Sequence, residues 1–240
     1  METIAEGVHL VRGGFPRLMN VYLIEDGAGG VTVFDAGVKS MAGALQKAAA
    51  KFGGIKRIVL GHSHPDHRGA AAELARGGAE IYCHEAELGD AEGDGGMHYF
   101  KLEQLKLPAR LVMRHSLVGT WDGGPVAISG VLSEGDSIAG FEVVHLPGHA
   151  PGLIGLYRES DGLVLGSDVV YTLNPLTARK GAPRMPLDAF NLDTSVAMAS
   201  ARKLAALGPQ RAWLGHADGI EEDLVDVLDE LGRKGGVLGG

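Results

Sequence analysis

The sequence predicts an α+β fold in which two sheets pack on each other with helices outside. Three observations carry this. Strand-like runs come in two groups, each followed by helix. Four strands run apolar residues into a glycine and then into a histidine or aspartate. The 240 residues, 45% hydrophobic and 22% charged, are enough to bury a sizeable core without covalent staples.

In chain order, "NVYLIED", "GAGG" and "VTVFDAG" read as strand, turn and strand. "SMAGALQKAAAKF" is rich in helix-forming alanine, and the "GG" after it is a helix stop. "IKRIVL" is a strand ending at Gly61, "GAAAELARGG" a short helix and "AEIYCHE" another strand. Residues 86 to 125 read as one or two helices with loops. "PVAIS", "FEVVHLPG", "LIGLYRE" and "GLVLGSD" are β-like. A helix is expected from about Thr194 to Leu207, then the strand "RAWLGH". An acidic amphipathic helix follows, with Leu224, Val227, Leu228 and Leu231 on one face and a fraying "VLGG" tail. No linker, low-complexity tract or repeat interrupts the chain, so residues 1–240 read as one domain.

Composition narrows the function. The net charge of −8 and the lack of a basic stretch argue against nucleic acid. No apolar run reaches membrane-span length, and the start lacks a signal-peptide pattern. The single cysteine, Cys83, excludes an internal disulfide and reads as a small buried residue. The expectation is a soluble cytoplasmic protein that acts on a small molecule, with no nucleic acid or membrane partner. A homodimer is left open.

The strand-end glycines are Gly61, Gly148, Gly166 and Gly215. Past them stand His62, His149, Asp168 and His216. Side chains set just past strand ends converge at one edge of a sheet, on a rigid platform. The stretch "HSHPDH" adds His64, Asp66 and His67. His62 and His64, two apart in extended chain, face one side and reach one ion. Pro65 restricts the loop, and Asp66 and His67 turn toward a second position. Imidazole and carboxylate are ordinary zinc ligands. Seven candidates are too many for one ion and suit two divalent ions that share a bridging carboxylate. Zinc is the first expectation, with manganese, iron or cobalt also compatible. Two close metals with a bridging hydroxide form a hydrolytic device.

"HSHPDH", "PGHAPG", "GSD" and "GHAD", in this order over most of the chain, resemble the metallo-β-lactamase superfamily of binuclear hydrolases. The resemblance implies a four-layer αββα sandwich of two similar halves, with the metal site at one sheet edge. It implies that His62, His64 and His149 hold one metal, that Asp66, His67 and His216 hold the other, and that Asp168 bridges. Asp35 in "VFDAG" matches the family's early aspartate, which supports ligands through hydrogen bonds. Tyr171, three residues after Asp168, looks like the acyl-homoserine lactonase branch, where a tyrosine at that offset orients the substrate carbonyl. "PGHAPG" is shared with the glyoxalase II branch.

The expected activity is hydrolysis of an ester-like bond, a lactone or thioester, by the bridging hydroxide. Asp66 passes a proton to the leaving group and Tyr171 assists at the carbonyl. β-Lactam or phosphodiester hydrolysis, and an iron-binding oxidoreductase of the same fold, stand as alternatives. His64 occupies a position where diiron electron-transfer relatives carry glutamate, which favours hydrolysis. His9, His84, His98, His115 and His145 have no ligand-spaced neighbour and read as packed or solvated. The segment 97–121 is dense in large apolar side chains. It reads as helices packed on the sandwich, or as a lid over an apolar pocket or a dimer contact. Arg114 within it is a candidate for a substrate carboxylate.

Overall fold

A computed structural model describes residues 1–27 and 29–236. The expected fraying at 237–240, and Ala28 in the expected "GAGG" turn, lie outside the described residues.

The first half builds β1 (Glu2–Ala5), β2 (Val8–Gly13), β3 (Met19–Glu25), β4 (Val31–Phe34), β5 (Ile55–Val59), β6 (Glu80–His84) and β7 (Gly130–Leu132). They form one seven-stranded sheet in chain order. β1 to β4 pair antiparallel, and β4 to β7 pair parallel. The second half builds β8 (Ser137–Ile138), β9 (Phe141–His145), β10 (Ile154–Arg158), β11 (Leu163–Leu165), β12 (Tyr171–Asn174), β13 (Arg179–Arg184) and β14 (Arg211–Trp213). Five of these make a sheet in the order β14-β11-β10-β9-β8, while β12 and β13 pair only with each other. The helices are α1 (Ala42–Ala49), α2 (Pro65–Arg68), α3 (Ala71–Ala75), α4 (Leu88–Ala91), α5 (Leu107–His115), α6 (Thr194–Ala206) and α7 (Leu224–Lys234).

Three apolar cores define four layers. Tyr22, Phe34 and Val59 of the first sheet meet Phe141, Val143, Leu156 and Leu165 of the second between the sheets. On the outer face of the first sheet, Val21, Val33 and Ile58 pack with Leu45 of α1 and Leu74 of α3. On the outer face of the second, Val144 and Val164 pack with Leu204 of α6 and Leu228 of α7. This is the αββα arrangement of the metallo-β-lactamase fold. β4 lies inside a sheet covered on both faces, so "VTVF" is buried throughout and shows no alternation. Asp193 starts α6 by accepting hydrogen bonds from the Ser195 and Val196 amides. Leu224, Leu228 and Leu231 of α7 are buried and Val227 is half-buried, as the amphipathic pattern requires.

Two elements differ from expectation. "PVAIS" is not a strand: Pro125 follows two glycines, and the backbone makes single contacts, Val126 N to Ala91 O at 2.9 Å and Ser129 N to Ile81 O at 2.7 Å. Pairing begins at Gly130, against Tyr82. The β12–β13 hairpin was not foreseen. β13, "RKGAPR", is polar and largely exposed, so it has no hydrophobic period to read. Among the described residues, no helix is long and apolar enough to cross a membrane.

Candidate metal centre

The two sheets are stitched together where the glycine-terminated strands end. Ile154 N–H donates to Gly61 O at 2.8 Å, and Asn20 N–H donates to Gly215 O at 2.9 Å. The glycines leave room there for ligand side chains. A Cβ at Gly215 would stand 2.2 Å from Asp168 Oδ1 and 2.6 Å from His67 Cε1, and one at Gly61 would stand 2.6 Å from Ser167 Oγ. Past Gly61 the chain is extended through His64 and then turns into α2, with Pro65 at its first position. That turn brings the His67 ring back to 4.1 Å from the His62 ring.

The fold brings all seven expected residues to this edge. His62, His64 and His149 each offer a ligand atom, the three lying within 4.8 Å of one another, and Asp66, His67 and His216 form a second such group. Asp168 lies between them. Its Oδ2 is 4.0 Å from His62 Nε2, 3.6 Å from His149 Nε2, 3.3 Å from His67 Nε2 and 3.2 Å from His216 Nε2. Asp66 Oδ2 stands 3.5 Å from His216 Nε2. Asp66 is half-buried, and the other six are buried.

The remaining hydrogen bonds select which nitrogen faces inward. His62 Nδ1 is 3.1 Å from Ser167 Oγ, His67 Nδ1 is 2.9 Å from Asp35 Oδ2, and His149 Nδ1 is 2.8 Å from Asn191 Oδ1. His64 is reversed: its Nε2 is 2.7 Å from the Tyr99 hydroxyl, which leaves Nδ1 for the centre. Tethering one ring nitrogen fixes tautomer and orientation for a metal at the other. His62 Nε2, His149 Nε2 and Asp168 Oδ1 are buried without any hydrogen-bond partner among the described residues. Orphaned buried polar atoms are costly, and three of them converge here. Cations satisfy them, and the mix of imidazole and carboxylate fits a dinuclear site without selecting the element.

The electrostatics agree. Burial, helped by the neighbouring histidines, pushes His62 and His64 well below the ordinary imidazole range. Burial also lowers His149. Neutral imidazole is the ligand form. At His67 and His216 burial acts the same way, but the surrounding carboxylates, Asp168 foremost with Asp66 and, at His67, Asp35, together raise both. Burial works against the Asp168 carboxylate, yet His216 and His67 hold it well below its usual value. The negative potential around Asp168 thus favours positive charge at this end of the cluster, which a bound cation would supply.

Asp35 supports a ligand as expected, through His67, and other supports show only in the fold. Asp35 does more than contact one ligand: its Oδ1 accepts from Gly61 N–H at 2.7 Å and its Oδ2 from Ser167 Oγ at 2.9 Å. Glu87, fully buried, accepts from the Ser63 and Gly152 amides at 2.7 and 2.8 Å and so clamps both ligand loops together. Arg68, also buried, donates to the carbonyls of Asp90, Ala91 and Gly93 and to Asp122. Ser167, Asn191 and Glu87 show no local signal, because the ligand residues and ligand-loop amides they hold are 24 to 105 positions away. His98, taken as isolated, in fact stands beside Asp90 and Asp94. Cys83 is buried in the outer core of the first sheet, where burial raises its thiol to about 12.

Tyr171 is buried, and its hydroxyl donates to Asp168 Oδ2 at 2.9 Å. It lines a cavity of ≈ 100 Å³ over His64, Asp66, His149, Asp168 and His216. The cavity is otherwise apolar. Phe100, Met113, Leu117 and Trp121 of the segment 97–121 line it, together with Phe15, Leu18, Leu173 and Phe190, whose ring packs edge-on against Phe100 at 5.8 Å. Phe15, Pro16, Met113, Trp121, Pro175 and Ala178 also wall an adjoining cleft of ≈ 920 Å³. Neither space is lined by lysine or arginine among the described residues. Arg114 and His115 are exposed, and Arg114 faces a separate surface groove.

The profile of the metallo-beta-lactamase superfamily matches residues 14–216. The chain is 29% identical to the "Probable metallo-hydrolase YflN" of Bacillus subtilis (strain 168), over 95% of this chain and 92% of that protein. It is similar to the crystal structure of the metallo-beta-lactamase family protein TTHA1429 from Thermus thermophilus. That likeness has a TM-score of 0.68 and 27% identity, over 96% of this chain and 80% of that one. It is also similar to TTHA1623 in a di-iron-bound form, with a TM-score of 0.64 and 26% identity, over 90% and 96% of the two chains. With the four-layer fold and the histidine and aspartate cluster at its sheet edge, the match over residues 14–216 makes this chain a member of the metallo-β-lactamase superfamily.

Proposed function

We propose that the protein is a metal-dependent hydrolase that cleaves a lactone or thioester. The observation that carries this is Asp168 Oδ2, set within 4.0 Å of nitrogens from four histidines that belong to two ligand groups. In this reading His62, His64 and His149 hold one ion, Asp66, His67 and His216 hold the other, and Asp168 is shared. When bound, the ion pair supplies an ionised water nucleophile at neutral pH and Lewis-acid polarisation of the carbonyl. Zinc heads the compatible ions, and the di-iron-bound relative keeps iron beside it.

The chain's own residues do the rest. Burial pushes the Tyr171 hydroxyl well above its ordinary value, so it stays a hydrogen-bond donor beside the reacting carbonyl. Asp66, the least buried member of the cluster, borders the cavity and passes a proton to the leaving oxygen or sulfur. The wall of Phe100, Met113, Leu117 and Trp121 orients an apolar acyl group and excludes water. The lining holds no lysine or arginine among the described residues, so a substrate carboxylate or phosphate meets no fixed guanidinium or ammonium there, only hydroxyls and His115 of the outer cleft. This favours a neutral lactone over acyl-glutathione, a β-lactam or a phosphodiester.

The test is proton release by metal-replete protein given a long-chain acyl lactone, with acyl-glutathione as the matched thioester. Acid release from the lactone is expected, and Asp66→Asn should keep some metal while losing turnover by orders of magnitude. Release from the thioester alone would overturn the lactone preference. Silence with both in protein holding two ions would overturn the substrate class.

A further inference from the structure

The surface beside the cavity mouth is apolar where a protein usually shows polar side chains to water. Among the described residues, six large hydrophobic side chains are more than half exposed: Phe15, Leu107, Leu111, Val112, Val118 and the chain-terminal Met1. Phe15, at 94%, is the extreme. Apart from Met1, they belong to one region. Phe15 and Val112 wall the ≈ 920 Å³ cleft that adjoins the cavity. Leu107 and Leu111, one turn apart, share a face of α5. Val118, in the turn after α5, lines a groove with Arg110 and Arg114. A surface helix needs one apolar stripe, and Met113 already supplies it toward the cavity. The second apolar face is bare, and such a patch marks a contact surface.

Charge says what covers it. The chain holds 30 acidic and 22 basic residues, yet residues 104–121 carry Lys106, Arg110 and Arg114 and no acidic residue. Their spacing of four sets these cations along one side of α5. Arg17 follows the Phe15–Pro16 tip, and Arg179 follows Ala178 of the cleft wall. None of the five has an ion pair or a side-chain hydrogen bond among the described residues. Bare leucine, valine and phenylalanine bordered by unpaired lysine and arginine match an anionic bilayer. Its headgroups take the cations, and its acyl boundary takes the apolar groups. A second copy of this chain, docked face to face about a two-fold axis, would set the same cations against each other. A nucleic acid would pair with the cations and leave the apolar groups unmatched.

We propose that α5, the turn that follows it and the Phe15 tip dock peripherally on an anionic phospholipid bilayer, with the cleft mouth toward the lipid. A surface of this kind leaves no trace in apolar run length or whole-chain charge, on which the expectation of no membrane partner rests. Docking itself is independent of the reaction. Its consequence, entry of a bilayer-dissolved substrate through the cleft, rests on the proposed hydrolysis of an apolar ester-like bond.

The test is co-sedimentation of the full-length protein, without substrate, with two kinds of vesicle. One is equal parts phosphatidylcholine and phosphatidylglycerol, the other phosphatidylcholine alone. Wild type should pellet with the mixed vesicles, bind the neutral ones at least about tenfold more weakly, and come off as salt rises. Lys106→Glu with Arg110→Glu should weaken binding to mixed vesicles by about tenfold or more through charge. Leu107→Ser with Leu111→Ser should do the same through lost apolar burial. These four side chains lie outside the cavity lining, so metal content should not change. Wild type that stays in solution beside mixed vesicles overturns the proposal. So does binding that is equal on the two vesicle types, or that both double variants retain. A wild-type dimer that Leu107→Ser with Leu111→Ser splits, with no vesicle binding, assigns the face to a second copy and overturns it too. With no substrate present, failure of the lactone reading leaves the result untouched.

Discussion

The ligand cluster and the wall of the cavity face the same space and are built in opposite ways. In the cluster, four of the five histidines are tethered through the nitrogen that does not face the centre, by Ser167, Tyr99, Asp35 and Asn191. Its loops are held by the buried Glu87 and Arg68. The wall from 97 to 121 is made of short helical turns, α5 and a π-helical turn over Ser116–Trp121. It presents Leu107, Leu111, Val112 and Val118 to solvent at 57 to 62% exposure. The ligand-type residues are thus mounted on sheet ends, while the apolar wall of the cavity lies outside the sheets. Reactivity and selectivity can therefore change separately.

Four experiments test that separation. The largest effect is expected at the shared carboxylate. Asp168→Ala should release metal and lower kcat/KM by more than about 100-fold, since even the partners of metal ligands are worth roughly 10–100-fold. Element analysis and turnover check this, and a variant that kept both ions would break the comparison at its rigid end. Next is Glu87→Ala, which leaves the Ser63 and Gly152 amides buried without a partner. Roughly 1–3 kcal/mol per orphaned amide is expected, read as a lower midpoint in denaturant. Glu87→Gln should recover part of it.

The wall should respond differently. Met113→Ala removes a buried side chain from the cavity lining and touches no ligand. A KM increase of roughly tenfold for an apolar substrate is expected from the lost burial, with kcat and metal content kept. Loss of metal in this variant would show that wall and cluster are one unit. The smallest effect is a control remote from both. Asp161 accepts from Arg158 and Arg211 at 2.9 and 2.7 Å, which hold its carboxyl down at about 2. A depressed folded value stabilises the protein above the unfolded value of about 3.9, and that contribution is lost as pH falls toward 2. Wild type and Asp161→Asn should therefore differ in urea midpoint at pH 6 and converge near pH 2.

The wall also shows where sequence reading stops. Met113, Leu117 and Trp121 are legible as an apolar cluster, but nothing local says whether such a cluster faces a core or a cavity. The same holds for Asp90, Asp94 and His98, whose spacing of four is plain only once the glycine turn brings them together. The strand-end residues were legible because each carries its signal locally, an apolar run, a glycine and a ligand type in immediate succession. The hairpin of β12 and β13 was not, because β12 is only four residues long and its partner β13 is exposed and polar, which leaves no hydrophobic period to read.

By itself, then, the sequence determined the layer order, the sheet edge that carries the site and the seven side chains gathered there. Hydrophobic periodicity, a glycine just before four of the seven ligand-type residues, and the clustering of the other three in "HSHPDH" are short-range patterns that survive in one dimension. Only the tertiary structure decided which nitrogen of each ring faces inward, which groups hold the loops and what lines the cavity. Those depend on contacts such as Asp35 with Ser167, or Glu87 with Gly152, between residues 132 and 65 positions apart. Such pairs follow from how the two sheets dock, and no local pattern records them.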